Sequence, residues 1–217
     1  MRDHASGLET KELPSTPRGL RTRASLVTAA RTVFERDGFL GSRLSDITAQ
    51  ANCSAGTFYT YFSSKEEVFA AVLAGAEDDM LHPGMPHVDD EDDPAAVIEA
   101  SNRAYLVAYL RNAKLMALMR QVATIDADFE ALRRHRSEKF VERNARHIAE
   151  LQGRGLADPT LDPLLTSYAL SGMVSRMAME VLVVGERDLD DVVETSTKLW
   201  VNALKLSAGP DSRKKGR

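Results

Sequence analysis

The chain has 217 residues, a formal net charge of -4 at pH 7 and an isoelectric point near 5.8. That length is enough for one large or two small domains, and a single cysteine excludes an internal disulfide. No apolar run, Val181 to Val184 included, is long enough to cross a bilayer, and no stretch resembles a signal peptide, so we expect a soluble cytoplasmic protein without a membrane partner.

The average charge conceals an uneven distribution along the chain. Residues 18–65 contain seven basic and three acidic side chains, a formal charge of +4, whereas residues 77–99 contain nine acidic and no basic side chains. Local charge is what meets a phosphate backbone, so the first of these segments can bind nucleic acid despite the acidic average.

The first 17 residues are polar and lack an apolar period, which predicts a disordered arm over residues 1–17. The basic residues that follow, Arg18, Arg21 and Arg23, can contact a DNA backbone or minor groove, or can simply face solvent. A helix is predicted from Leu20 to Asp37, ended by Gly38. Its apolar stripe contains Leu26, Ala29, Ala30, Val33 and Phe34.

Two short helices are predicted next, separated by a break at Asn52 to Ser54. Leu44 and Ile47 place apolar side chains on one face of the first helix. Asn tolerates the left-handed conformation that ends a helix, and Ser54 is a good N-cap for the second helix, which starts at Ala55. Two helices joined by a tight turn are typical of the helix-turn-helix unit, whose second helix enters the DNA major groove.

The second helix is small at its entry and aromatic along its body. Hydroxyls at Thr57, Tyr59, Thr60 and Tyr61 can donate to phosphate oxygens. The segment from Leu26 to Val72 resembles the DNA-binding domain of the TetR family of bacterial repressors. The residues that carry this resemblance are Ala29, Ala30, Phe34, Gly38, Phe39, Asp46, Ile47, Ala51, Ser54, Gly56, Thr57, Phe58, Tyr59, Tyr61, Phe62, Lys65 and Glu66.

This resemblance implies an all-α fold with an N-terminal three-helix helix-turn-helix domain (18–64) and a C-terminal helical effector-binding and dimerisation domain (65–206). It implies a homodimeric repressor that a small hydrophobic effector releases from a palindromic double-stranded operator. The expected DNA-binding residues are Arg43, Ser45, Ser54, Ala55, Gly56, Thr57, Tyr59, Thr60, Tyr61 and Lys65.

Two positions depart from the family pattern. Arg43 stands where the family usually has Thr, so the cap of the first motif helix must come from Ser42 or shift by a residue. The turn reads Asn52-Cys53 instead of Gly followed by a small apolar residue. Cys53 can be a redox sensor in this turn or a small apolar filler between the two helices.

A fourth helix is predicted from Lys65 to Leu81, where Lys65 can help to hold a phosphate. The segment from His82 to Pro94 then breaks the helical pattern with three prolines and five consecutive acids. It is interpreted as a solvated connection, with a metal site at His82, His87 and the acids as the alternative. Helices are predicted to follow over residues 94–112, 115–122 and 126–152.

The last two helices, over residues 163–185 and 189–206, expose more apolar surface than one chain can cover. In TetR-like proteins such a pair packs against its copy, so we predict a homodimer through these helices. The tail at residues 207–217 is predicted to be disordered and basic.

Methionines and tyrosines form adaptable apolar cavities, which suits a hydrophobic effector, although each can equally be ordinary core. Arg176 and Glu180 can pair with each other or cap the dimer interface, or Arg176 can bind a ligand carboxylate or phosphate. The candidate effector-binding residues are Tyr105, Tyr109, Met116, Met119, Phe129, Met173, Arg176 and Met177.

No catalytic motif is present in the sequence: it lacks GxSxG, HExxH, a Gly-rich phosphate loop and a CxxC pair. We therefore expect no enzyme activity, no cofactor and no resident metal. Two alternatives remain open, a DNA-binding protein controlled by a protein partner and an enzyme that uses the helical body as its cavity.

Overall fold

The computed structural model describes residues 11–83, 93–185 and 187–206, and all regular structure within these ranges is helical. The predicted all-α fold is confirmed. The α-helices are α1 Pro17–Gly41, α2 Leu44–Gln50, α3 Ala55–Tyr61, α4 Lys65–Leu81, α5 Pro94–Arg111, α6 Ala113–Ala123, α7 Ala127–Gly153, α8 Pro163–Met177 and α9 Leu189–Leu204, and a π-helical segment spans Ala178–Val183.

The chain divides into two compact units. Unit 1 contains residues 1–78 and 114–135, and unit 2 contains residues 79–113 and 136–217. The boundaries fall within α4 and α7 and at the start of α6, so the units differ from a simple division at residue 65. Predictions on residues 1–10, 84–92 and 207–217, including the metal alternative at His87, lie outside the described residues.

The core of unit 1 is aromatic. The ring centroids of Phe39 and Phe69 are 4.7 Å apart, those of Phe34 and Phe69 are 4.9 Å apart, and that of Phe129 lies 5.3 Å from Phe69. Such offset and edge-on pairs stabilise a core beyond the area that they bury. This cluster fixes α1 and α4 as the support of the two short helices between them.

Helix α1 begins three residues earlier than its apolar period predicts. Thr16 accepts a hydrogen bond from the Gly19 amide at 3.1 Å, and Pro17 occupies the first turn, where its missing N–H costs nothing. Gly38 leaves the helical conformation with a φ of 74°, as the prediction of a stop at this glycine requires.

In unit 2, α5 and α9 form the principal helix pair. Their buried link is a hydrogen bond of 3.2 Å from Asn102 Nδ2 to Thr197 Oγ1. At the surface, the guanidinium of Arg103 pairs with the carboxylate of Asp190. These polar contacts hold α5 and α9 in register along an otherwise apolar contact.

The helix predicted over residues 163–185 changes its hydrogen-bond pattern part-way. After Met177 the backbone becomes π-helical, and the Val184 amide donates to the Met179 carbonyl at 3.1 Å. The sequence does not predict this change, because an α-helical and a π-helical turn can contain the same apolar residues. Within the described ranges, no helix is long and apolar enough to cross a membrane.

Candidate nucleic-acid interface and ligand pocket

The entry of α2 is capped in a way that the sequence did not predict. The Ser42 hydroxyl donates to the Phe39 carbonyl at 2.8 Å and therefore does not cap α2. Arg43 is the N-cap residue, and its amide donates to Asp46 Oδ2 at 3.1 Å. Asp46 supplies the acidic half of a capping box, so the exposed Arg43 side chain is left outside the cap.

The turn between α2 and α3 is a Schellman motif. The Cys53 amide donates to the Thr48 carbonyl at 3.0 Å, and the Asn52 amide donates to the Ala49 carbonyl at 3.1 Å. Asn52 adopts the left-handed conformation with a φ of 51°, as predicted. The turn thus satisfies the carbonyls at the end of α2 and sets the direction in which α3 begins.

Ser54 caps α3, as predicted, because its hydroxyl accepts from the Thr57 amide at 3.2 Å. Phe58 and Phe62 are fully buried on the inner face, whereas Tyr59 is 52% exposed on the outer face. The Thr60 hydroxyl donates to the Gly56 carbonyl at 3.1 Å, so its oxygen is left to accept a bond from a partner. The sequence predicts that the Thr60 hydroxyl donates to a phosphate, whereas in the structure its hydrogen is already used within α3.

Most of the predicted DNA-binding residues lie on the accessible surface of unit 1. The half-buried members of the set are Thr57, Tyr61 and Lys65. The exposed members are Arg43, Ser45, Ser54, Ala55, Gly56, Tyr59 and Thr60. Small and polar side chains therefore surround the first turn of α3, where a DNA-reading helix approaches base edges.

Gly56 is not required by the fold. A Cβ atom at this position would lie 3.7 Å from Ser54 Oγ, which is an ordinary van der Waals contact, and the backbone is helical. Because Gly56 has no side chain, another molecule can approach the backbone closely at this position.

Lys65 is bound to the protein backbone through two of its ammonium hydrogens. Its Nζ donates to the carbonyls of Phe39 at 2.8 Å and Ser42 at 3.1 Å, and lies 4.5 Å from the centroid of the Phe39 ring. One ammonium hydrogen remains for a phosphate. Lys65 consequently holds the end of α1 against the start of α4, a role that the sequence analysis missed.

The basic residues of α1 differ in their availability. Arg18 and Arg21 are exposed, whereas the guanidinium of Arg23 lies 4.8 Å from the centroid of the Phe62 ring. Arg31 is paired with Glu35 and Arg36 with Asp37. The positive charge available to a phosphate backbone therefore lies at the start of α1, at Arg43 and at the remaining N–H of Lys65.

Cys53 is half-buried in the motif turn, and burial raises the pKa of its thiol. A raised pKa lowers the thiolate fraction at neutral pH, and the thiolate is the reactive form. This geometry favours the interpretation of Cys53 as a small filler over that of a redox sensor.

Residues 26–72 match the family model described as bacterial regulatory proteins, tetR family. This match covers the helix-turn-helix segment and identifies a TetR-family domain there. The chain is 42% identical over 53 residues to the HTH-type transcriptional repressor NicS of Pseudomonas putida, which is 24% of this chain and 25% of NicS. It is 23% identical over 213 residues to the HTH-type transcriptional regulator EthR of Mycolicibacterium smegmatis, across 91% of this chain and 96% of EthR.

Among solved structures, Salmonella enterica GusR matches this chain with a TM-score of 0.73 and 16% identity, and the match covers 89% of this chain and all of GusR. At that identity the likeness concerns the fold alone. The chain matches the first curated relatives over 30% or less of their own length. The family-model match at residues 26–72 includes the segment whose geometry is described above.

The predicted effector residues are divided between the two units. Unit 1 contains Met116, Met119 and Phe129, all buried in its core. Unit 2 contains Tyr105, Tyr109, Met173, Arg176 and Met177. The structure therefore does not bring the eight residues together in one unit.

The unit 2 candidates lie in two environments. Tyr105 packs against the Phe140 ring, with the centroids 5.6 Å apart, and burial raises the pKa of its hydroxyl to about 12. Met177 accepts a hydrogen bond from the Ser196 hydroxyl at 3.7 Å. Arg176 and Glu180 are exposed and form no ion pair with each other in the described part of the chain, so the predicted i, i+4 pair is absent.

A pocket of about 240 Å³ opens within unit 2, and its lining includes none of the eight predicted effector residues. Helices α5, α7 and α9 supply its walls. The lining residues are Val97, Ile98, Ser101, Asn102, Arg143, Asn144, His147 and Trp200. In the described ranges no group of three or more His, Cys, Asp or Glu residues is arranged to hold a metal ion.

Proposed function

We propose that this TetR-family chain is a transcriptional repressor that binds a palindromic operator as a homodimer and is released by a small-molecule effector. The observation that carries the DNA-binding part is the geometry of the motif. A Schellman turn at Asn52 and the Ser54 cap direct α3 so that its buried face meets the core and its small, hydroxyl-rich face is exposed.

The charge distribution supports the same proposal. Arg18, Arg21 and Arg43 are exposed, and residues 18–65 carry a formal charge of +4. Phosphate contacts position a protein on DNA, and base-edge contacts then specify the sequence. We assign the phosphate contacts to these arginines, Tyr59 and the free hydrogen of Lys65, and base readout to the first turn of α3.

Homodimer formation is supported by exposed apolar side chains on the last two α-helices. Leu165 is 69% exposed, Tyr168 is 48% exposed and Leu199 is 43% exposed. Leu165 and Tyr168 are three residues apart, on adjacent positions of one helical face. Association of two copies through α8 and α9 would remove this surface from water.

The effector part of the proposal is supported by the pocket in unit 2. A preformed cavity with apolar walls and a few polar groups is the usual form of a small-molecule site. An effector releases DNA only if it binds more tightly to the conformation that cannot engage both half-sites. NicS is a transcriptional repressor, which is consistent with repression by this chain.

The test is a DNA-binding assay on the DNA upstream of the protein's own gene. The double variant Tyr59→Ala/Thr60→Ala removes two exposed groups of α3, and Thr124→Ala/Ile125→Ala is a control outside the motif. We expect the first variant to lose binding by tenfold or more and the control to bind like the wild type. Equal affinity for all three proteins would refute α3 as the DNA-binding helix.

A further inference from the structure

The unit 2 pocket contains hydrogen-bonding groups that the protein leaves unused. Trp200 lines the pocket and is only 6% exposed, yet its indole Nε1 is buried without a hydrogen-bond partner in the described residues. His147 also lines the pocket, and its buried Nε2 likewise has no hydrogen-bond partner among the described residues. An indole nitrogen can only donate, so a ligand at Trp200 must offer an acceptor.

Arg143 adds a cation to the same wall. Its Nη1 donates to the Leu81 carbonyl at 2.6 Å, and its guanidinium lies 5.2 Å from the centroid of the Phe140 ring. In the described part of the chain, none of its hydrogen bonds or ion pairs is to a carboxylate, and burial lowers its pKa. A partly buried guanidinium without an acidic partner is costly, and an anionic ligand would compensate it.

The two asparagine amides of the pocket are already engaged as donors. Asn102 Nδ2 donates to Thr197 Oγ1 at 3.2 Å, and Asn144 Nδ2 donates to Ser171 Oγ at 2.9 Å. The unused hydrogen-bonding groups that the pocket offers to a ligand therefore include those of Arg143, His147 and Trp200. Val97 and Ile98 supply apolar contact area on α5.

We propose that this pocket binds a small organic carboxylate. Its oxygens accept hydrogen bonds from the Arg143 guanidinium and the Trp200 indole, and its hydrocarbon part contacts Val97 and Ile98. The ligand's role as effector rests on the proposed function above, whereas its binding to unit 2 does not.

The chain contains a single tryptophan, so its intrinsic fluorescence comes entirely from Trp200. The experiment titrates the full-length protein, without DNA, with hexanoate and benzoate. Hexanamide and benzamide are the matched neutral compounds. We expect saturable fluorescence changes with at least one carboxylate and at least tenfold weaker binding of its amide, because a charge-assisted bond is lost.

Variants test the assignment of the charge. Arg143→Gln is expected to weaken carboxylate binding by tenfold or more, and Arg146→Gln, at an exposed arginine of the same helix, is the matched control. Ser101→Phe fills the pocket without removing a charge, and so tests the site even if Arg143→Gln fails to fold. Circular dichroism verifies that each variant is folded.

The proposal is overturned if neither carboxylate changes the fluorescence at millimolar concentrations, if the amides bind equally well, or if Ser101→Phe binds like the wild type. Carboxylate binding that leaves operator affinity unchanged would contradict only the effector role. Operator binding by a protein that ignores all four compounds would contradict only the pocket assignment.

Discussion

The ammonium of Lys65 donates a hydrogen bond of 2.8 Å to the carbonyl oxygen of Phe39 and lies over the ring of the same residue. Phe39 follows the left-handed Gly38, where α1 leaves its helical course, so its carbonyl lacks the partner that a continuing helix would supply. Lys65 therefore supports unit 1 from inside, in addition to the contact with phosphate that is proposed for it.

This role predicts a loss of stability in Lys65→Met. Removal of two charge-assisted hydrogen bonds should lower the free energy of unfolding by about 2 kcal/mol, measured by urea denaturation. Lys114→Met, at an exposed lysine of α6 in the same unit, is the control and should change it by less than about 0.5 kcal/mol. Equal stability of the two variants would show that the Lys65 hydrogen bonds contribute nothing.

The exposed arginines predict the salt dependence of DNA binding. If the Arg43 side chain contacts one phosphate, Arg43→Gln should flatten the plot of log affinity against log salt concentration by about 0.9. Lys65→Met should flatten the same plot by a similar amount, because it removes the Lys65 N–H that remains for a phosphate. Arg36→Gln, whose charge is already paired with Asp37, is the control. An unchanged slope in Arg43→Gln would remove Arg43 from the interface.

Gly56 predicts opposite effects on stability and function. Gly56→Ala should raise the free energy of unfolding by up to about 1 kcal/mol, because alanine favours the helix and its Cβ meets no clash. The same methyl group should weaken operator binding by tenfold or more if α3 approaches the bases closely. Gly75→Ala, at an exposed glycine of α4, should raise stability without affecting DNA. Full operator affinity in Gly56→Ala would argue against close approach at this position.

The exposed face of α8 predicts the effect of a charge on assembly. Leu165→Glu should shift the protein from dimer to monomer in analytical ultracentrifugation and reduce operator affinity, because a buried carboxylate without a partner opposes association. Ile125→Glu, at an equally exposed apolar residue in unit 1, should leave the dimer intact. A dimeric Leu165→Glu would place the interface elsewhere.

Asp158 predicts a pH dependence of stability. Its carboxylate lies 2.7 Å from the ammonium of Lys205, and that hydrogen bond, with those from Thr160, holds the pKa of Asp158 well below its usual range. Because the pKa of Asp158 is lower in the folded state, its carboxylate contributes to the free energy of unfolding at pH values above the unfolded-state pKa. That contribution is lost as pH falls through the folded-state pKa.

The measurement compares urea midpoints of the wild type and Asp158→Asn between pH 7 and pH 2. The wild type should have the higher midpoint at neutral pH, and the difference should shrink below about pH 4 as the carboxyl group is protonated. A difference that is independent of pH would exclude the charge of Asp158 as its cause.

The helix-turn-helix unit could be predicted from sequence because its determinants are local. The left-handed Asn52 and the cap at Ser54 depend on residues within one turn of each position, and both predictions are confirmed. The cap of α2 was not predicted, because Ser42 serves the end of α1 and Asp46 reaches back to Arg43. Local rules could not decide whether Ser42 caps α2 or bonds to the end of α1.

The pocket was missed because it depends on how three distant helices pack. A signal was nevertheless present in the helical periodicity. Asn102 lies four residues after Ile98 and four before Leu106, and Asn144 stands in the same relation to Phe140 and Ile148. Polar residues within an apolar stripe mark positions that a core alone does not explain, whereas the methionines and tyrosines chosen by composition are largely core.

The most direct test of the proposed DNA-binding dimer is a hydroxyl-radical and methylation-protection footprint of the wild-type protein on the DNA upstream of its own gene. Two symmetric half-sites should be protected, with major-groove contacts separated by a whole number of helical turns, because a two-fold dimer presents two copies of α3. A single protected half-site, or protection with no major-groove component, would contradict binding by paired α3 helices.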